Sequence, residues 1–311
     1  RVDLRLFNEI NFFFKVPFII IHNYIKIFYI KILGSKFFYK AYEESKILKI
    51  PTNTSLYKLI KKNIPKMIIM PSNAHGKTEF DIVRICKELN IKSYFIIDNW
   101  DNLSSKTVLI QKPDYLAVWG HQTKIHAKKI QNINYKNVDV IGSGKYQSFF
   151  KLRNKKFKKK KNYVLFLGTS WPWDEESVLD ILDREISKNK NIYKDLIIIY
   201  RPHPLRQKIT NIAKVGNRWN NVELDSQINK KYFNSRLMPD LNYYPKLLSN
   251  TIFAMGGLTT MLLESSIFYK KYLAIGYDDK KSFLNQKMAI EWFPHLENLS
   301  KLSNIKISKN E

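Results

Sequence analysis

Two consecutive α/β domains, each a parallel, doubly wound sheet, are what this sequence predicts. Three observations carry the prediction. From residue 66 onward, short apolar and β-branched runs alternate with stretches of helical periodicity. The alternation is broken once, by the lysine run KKFKKKK over residues 155–161, and then restarts. Glycines, hydroxyls and ionisable groups cluster just after the apolar runs, which is where an open parallel sheet binds its ligand.

At 311 residues the chain is long enough for two medium domains, and 44% hydrophobic content supplies packed cores rather than disorder. The one cysteine, Cys86, excludes a disulfide framework and a cysteine-rich metal site; it fits a reducing cytosol and reads as a buried spectator. The formal charge of +26 attracts anions of several kinds. Abundant lysine, isoleucine and asparagine together indicate a composition bias spread over the whole surface. No nucleic-acid module shows its spacing, so phosphorylated small molecules rank above nucleic acid as partners. The chain opens on Arg1 rather than methionine, as a fragment or processed chain would, which leaves a preceding targeting segment open.

Residues 10–33 are apolar and aromatic but are interrupted by Lys15, Pro17, His22, Lys26 and Lys31. A spanning helix tolerates few such charges. Either a pair of amphipathic helices covering a sheet or a basic-aromatic surface on an anionic membrane accounts for the stretch. The corresponding setting is cytoplasmic, with the inner face of the cytoplasmic membrane as the surface in the second case.

The first block then reads as strand 67–70, loop 71–76, helix 80–89 with Phe80, Val83 and Leu89 inward, strand 94–97, strand 115–119, helix 123–130 and strand 138–141. After the lysine run come strand 163–167, the loop Gly168-Thr169-Ser170, helix 177–186 and strand 196–200, which ends in Arg201-Pro202-His203-Pro204. A weak strand at 221–224 and a short helix at 243–248 follow. The segment 251–277 is a βαβ unit: an apolar strand at 251–255, a turn at Gly256-Gly257, a helix through residues 261–264 with Thr259 and Thr260 as capping hydroxyls, and a strand at 272–275. There is no repeat at solenoid spacing. The expected division is 1–154 for an acceptor domain with a helical amino-terminal segment, 155–161 for a basic linker and 162–311 for a donor-nucleotide domain.

In the second block, Gly168, Thr169, Ser170, Arg201, His203, Gly256, Gly257, Thr259 and Thr260 all follow strands. Glycines permit close approach, backbone amides and hydroxyls donate, and Arg201 and His203 add cationic or donor groups: a cradle for a nucleotide diphosphate. Glu264 falls one turn into the helix, either facing that cradle or solvated. In the first block, His75 follows one strand and Asp98 and Asp101 the next. They suit a general base gripping a hydroxylated acceptor, while Asp101 or Ser104 serves equally as the cap of a helix starting near Leu103. No His/Asp/Glu grouping has metal-site spacing, and the Gly-x-x-x-x-Gly-Lys-Ser/Thr loop of P-loop nucleotidases is absent.

Two Rossmann-like halves, the Arg201-Pro-His-Pro strand end, and GGLTTMLLES followed by YLAIGY resemble the carboxyl half of GT-B glycosyltransferases. More narrowly they resemble bacterial surface-polysaccharide enzymes, including glycerophosphotransferase-like and sialyltransferase-like members with a His-Pro and a Ser/Thr motif. IDNWDNLSSK, PDYLAVWG and VIGSGKYQ resemble the amino half of such enzymes. The likeness spans about residues 66–277 and is one of motifs.

It implies a GT-B architecture with an interdomain cleft and a nucleotide-sugar donor as substrate, with no cofactor. His203, Thr259 and Thr260 would sit on the donor phosphates and Glu264 on the ribose, and the acceptor would be a glycan or lipid-linked. The acidic motif of the sialyltransferase-like members is missing, so the base stays open among Asp101, Asp98 and His75, in that order. CDP-glycerol-type phosphotransfer or sugar-nucleotide 2-epimerisation on the same fold, and a non-catalytic nucleic-acid or membrane module, are the alternatives.

Overall fold

The computed structural model of the chain describes residues 52–72, 76–106, 109, 111–155, 157, 161–170, 173–203, 218–228, 242–281 and 285–310. The segment 10–33, His75 and most lysines of the 155–161 run lie outside the described residues. Contacts divide the chain into two units. One runs to Ser143 and takes in Phe293–His295; the other runs Gly144–Trp292 and resumes at Leu296.

The first unit contains α1 (Thr54–Asn63), β1 (Met67–Ser72), α2 (Lys77–Glu88), β2 (Lys92–Ile97), β3 (Tyr115–Val118), α3 (His121–Lys129) and β4 (Val138–Val140). Its sheet is parallel throughout, in the order β1-β2-β3-β4. Pro71 belongs to β1, which runs on to Ser72, two residues beyond the end expected at residue 70. Proline cannot donate to a ladder, but β1 is the edge strand of this sheet, where one missing donor is tolerated. Val83, Ile85, Cys86, Phe95, Ile97, Leu103, Leu116 and Val118 form one buried core. Cys86 is inside it, its thiol pushed up to about 11 by burial first and Asp114 second, which makes it an inert packing group. The helix expected near Leu103 is a single π-type turn, Asn102–Lys106.

The second unit contains α4 (Gln147–Leu152), β5 (Tyr163–Leu167), α5 (Glu175–Lys188), α6 (Lys190–Tyr193), β6 (Ile197–Arg201), β7 (Val222–Leu224), α7 (Tyr243–Asn250), β8 (Ala254–Gly256), α8 (Met261–Ile267), β9 (Tyr272–Ile275), α9 (Gln286–Trp292) and β10 (Ile305–Ser308). Asp174 caps α5 by accepting from the Ser177 amide at 3.0 Å. The helix therefore begins at Glu175, ahead of Val178, its first buried apolar residue. The central strand β5 is buried at every residue, as a parallel strand covered on both faces must be.

The sheet runs β10-β9-β8-β5-β6-β7, and every neighbouring pair is parallel. Counted from β5 this is the 3-2-1-4-5-6 order of a Rossmann sheet, in which the winding reverses between β5 and β8. Ligands bind beyond the carboxyl ends at such a reversal. Among the described residues, no helix is long and apolar enough to cross a membrane.

Candidate functional site

The loops after β5, β6 and β8 leave the carboxyl ends of three adjacent strands, and they touch. The amide of Gly168 donates to the Arg201 carbonyl at 2.8 Å, and that of Gly257 donates to the Leu167 carbonyl at 3.1 Å. The Thr169 hydroxyl donates to the Leu258 carbonyl at 3.1 Å. Two of the glycines are required sterically. A β-carbon on Gly168 would lie 2.8 Å from the His203 nitrogen and 2.9 Å from Pro202 Cα; one on Gly257 would lie 2.4 Å from Thr169 Cγ2.

Gly256 has φ +135°, and a β-carbon there would meet the Leu167 oxygen at 2.2 Å, so the last residue of β8 can only be glycine. The strand therefore runs Ala254–Gly256 rather than 251–255. Thr251 instead caps the preceding connection, its hydroxyl donating to the Phe253 and Tyr163 carbonyls. Nor do the threonine hydroxyls cap α8: Thr260 stands at its N-cap in helical geometry and makes no side-chain capping bond. Thr259 and Thr260 are half-buried, His203 is half-buried, and Ser170 is exposed.

Beneath these loops lies an acid absent from the sequence expectation. Glu175, 2% exposed, accepts from the Thr169 amide at 3.0 Å and from the Tyr200 hydroxyl at 2.6 Å. Its carboxylate ties the loop after β5 to the Tyr200 side chain of β6. By sequence it resembles an ordinary first-turn acid of α5, and its burial is a tertiary fact.

Arg201, Tyr244, Asp225 and Glu264 form the charged part of the site. Arg201 Nε donates to the Tyr244 hydroxyl at 3.1 Å, and the guanidinium stands 5.1 Å from the centre of that ring. Asp225 follows β7, is 2% exposed, and accepts from the Tyr243 hydroxyl. Burial raises its carboxyl above the usual range, with the Tyr243 bond, the Gln227 amide and Arg201 opposing.

Glu264 is 6% exposed rather than solvated. Its Oε1 lies 3.6 Å from Lys145 Nζ and 3.4 Å from the Tyr146 hydroxyl. Burial raises its pKa, opposed by Lys145, Arg201 and the Tyr146 bond. Strand-end position could have flagged Asp225. Lys145 and Tyr146 fall within the VIGSGKYQ motif, where nothing local ties them to Glu264, and Tyr244 carries no local signal. The same unit has a hollow of about 750 Å³ lined by Lys161, Lys190, Lys194 and Asn221, but it opens at the amino ends of β5 and β6, the wrong edge for this chemistry.

In the first unit, the two expected carboxylates are each engaged separately. Asp98 accepts from Asn102 Nδ2. Asp101 Oδ1 is 3.0 Å from Lys106 Nζ, while its carbonyl receives the amides and hydroxyls of Ser104 and Ser105. Beside them is a histidine absent from the sequence expectation. His295, 8% exposed, has Nδ1 3.0 Å from the Ser104 hydroxyl, and Trp100 meets its ring edge-on at 4.8 Å. Burial, then Lys106 and His126, lower its pKa to about 3, so the ring is neutral. Among the described residues, no group of three or more His, Cys, Asp or Glu side chains could hold a metal ion.

No family model matches the sequence, and no curated protein matches it. Among solved structures, the chain is similar to the UDP-GlcNAc 2-epimerase of Methanocaldococcus jannaschii, at 13% identity and TM-score 0.50 over 83% of this chain and 70% of that one. The same enzyme in complex with UDP-GlcNAc and UDP gives 13% identity and TM-score 0.51 over 82% and 68%. S. aureus MnaA with UDP gives 12% identity and TM-score 0.50 over 86% and 66%. At such identities the likeness is one of fold, and that fold is GT-B, with two Rossmann-like domains.

Proposed function

We propose that the protein is a GT-B glycosyltransferase of cell-envelope polysaccharide synthesis, moving a sugar from a nucleotide-activated donor to a glycan or lipid-linked acceptor. One observation carries the reading. Arg201, His203, the Gly168 and Gly256-Gly257 turns, Thr259 and Thr260 lie at or just after the carboxyl ends of β6, β5 and β8, where the sheet order reverses.

The donor domain is the carboxyl-terminal one, from about residue 162. An acceptor hydroxyl attacks the anomeric carbon, the bond from that carbon to the phosphate oxygen breaks, and its electron pair leaves with the nucleotide. Arg201, His203 and the hydroxyls of Thr259 and Thr260 stabilise that developing charge. Glu264 takes a ribose hydroxyl. In the amino-terminal, acceptor domain the hydroxyl proton passes to Asp101, with Asp98 and then His75 as the other candidates.

The fold shared with UDP-GlcNAc 2-epimerases makes isomerisation of the sugar nucleotide the competing reading. Melting-point shifts with CMP, CDP, UDP, GDP and dTDP identify the nucleotide, because a ligand that binds the folded state raises its melting point. NMR of the matching sugar nucleotide then separates the reactions. Consumption that requires an added acceptor supports transfer, a new sugar nucleotide without acceptor supports epimerisation, and turnover of CDP-glycerol supports phosphotransfer. A chain whose melting point responds to none of the nucleotides refutes the proposal.

A further inference from the structure

Among the described residues, Glu264 is held through one oxygen of its carboxylate. Oε1 faces Lys145 Nζ at 3.6 Å and the Tyr146 hydroxyl at 3.4 Å, whereas Oε2 makes no hydrogen bond among the described residues. The two partners sit on the short turn Gly144–Tyr146, which α4 continues. That turn is held against Glu264's own helix. The Tyr146 ring meets Phe149 edge-on at 5.4 Å, and Phe149 packs on Phe268, the residue closing α8, at 6.0 Å. Lys145 is itself 44% exposed by side chain, and its ammonium stands 3.6 Å from Glu264 Oε1 and 5.2 Å from the centre of the Tyr146 ring.

We infer that Lys145 and Tyr146 are positioning residues of the donor site: by holding Oε1 they orient the Glu264 carboxylate so that Oε2 receives a ribose hydroxyl of the nucleotide, which makes the site selective for ribonucleotides. The inference rests on the donor-domain reading proposed above. A carboxylate this buried is driven towards its protonated form, which would present a donor where an acceptor is needed. Lys145 and the Tyr146 hydroxyl oppose that drive, as does Arg201. Arg201 makes its own hydrogen bond elsewhere, from Nε to Tyr244, so fixing Oε1 falls to Lys145 and Tyr146.

The test crosses protein variants with ligand variants, by calorimetry of UDP, CDP and GDP and their 2′,3′-dideoxy counterparts. The wild type binds its preferred ribonucleotide tenfold or more tightly than the dideoxy form. Lys145→Met weakens the ribonucleotide by about that factor and the dideoxy nucleotide by less than twofold. Tyr146→Phe changes both in the same sense by a smaller factor, and Lys145→Arg restores most of the preference. Equal weakening of both ligands by Lys145→Met overturns the inference, since it would mean direct phosphate contact or general damage. So does unchanged ribonucleotide affinity in both Lys145→Met and Tyr146→Phe. A wild type that binds none of the six overturns the donor-domain reading, and this inference with it.

Discussion

The backbone nitrogen of His203 lies 2.8 Å from the point that a β-carbon on Gly168 would occupy, so the turns after β5 and β6 close on each other only because residue 168 is glycine. The same β-carbon would meet Glu175 Oε2 at 2.8 Å. Gly168→Ala must push the Pro202–His203 backbone away from the strand ends. Overpacking of this kind costs about 1–3 kcal/mol. Urea denaturation is expected to show that loss, and nucleotide affinity is expected to fall with it. A variant as stable as the wild type would show that the two turns part freely.

Tyr200 donates to the buried Glu175 carboxylate at 2.6 Å, and the same carboxylate accepts from the Thr169 amide. Tyr200→Phe keeps the ring, which meets Phe166 and Trp219 edge-on, and removes only the donor. Hydrogen bonds to charged groups contribute about 1.5–3 kcal/mol. The measured drop in unfolding free energy should fall in that range, and a drop below about 0.5 kcal/mol would remove Glu175 as the brace of the β5 loop.

Arg201 is aimed by Tyr244, through the Nε bond and the ring beneath the guanidinium. Arg201→Ala is expected to weaken the preferred nucleoside diphosphate by roughly 10- to 150-fold, the equivalent of a charged hydrogen bond, while leaving the parent nucleoside little changed. Tyr244→Phe, which leaves the ring and removes the hydroxyl, should give a smaller loss. Equal effects on nucleotide and nucleoside in calorimetry would move the phosphate site away from Arg201.

Asp101 has a carboxylate engaged by Lys106 at 3.0 Å. If it is the general base, Asp101→Asn lowers turnover by roughly 10²-fold or more and leaves donor affinity unchanged. Steady-state kinetics with calorimetry on the same sample separates the two quantities. A fully active variant transfers the role to Asp98 or His75.

His295 is neutral in the folded chain, with its pKa lowered from 6.5 to about 3. As pH falls below 6.5 the unfolded chain takes up this proton first, so stability present above pH 6.5 is lost progressively down to about pH 3. The contribution to the slope is at most about 1.4 kcal/mol per pH unit. His295→Gln keeps a polar group near Ser104 and abolishes the titration. Urea midpoints measured at pH 7, 6 and 5 should fall more steeply for the wild type than for the variant. Parallel slopes would show that protonated His295 is accommodated without loss.

Much of the fold was legible because the signals that specify it are local. Tyr163–Leu167 and Tyr272–Ile275 are recovered to the residue, as uninterrupted apolar runs beside turn residues. The misses have local causes of another kind. Pro71 marked a strand end that an edge position overrides, and Gly256 marked a turn although its backbone still belongs to β8. The edge strand Ile305–Ser308 is only four residues long, too short for its Ile-Lys-Ile-Ser alternation to stand out. The residues that follow β5, β6 and β8 were legible by type and by their place at the strand ends.

What the sequence by itself determined is which apolar runs become strands and which side chains follow them, since periodicity and turn chemistry act over a few residues. Only the tertiary structure decided that β5, β6 and β8 lie side by side with the winding reversed between β5 and β8. It also decided that Tyr146 reaches Glu264 across 118 residues of chain, and that Ser104 reaches His295 across 191. Such pairs are chosen by the burial of whole strands and helices, and no local pattern in either partner encodes them.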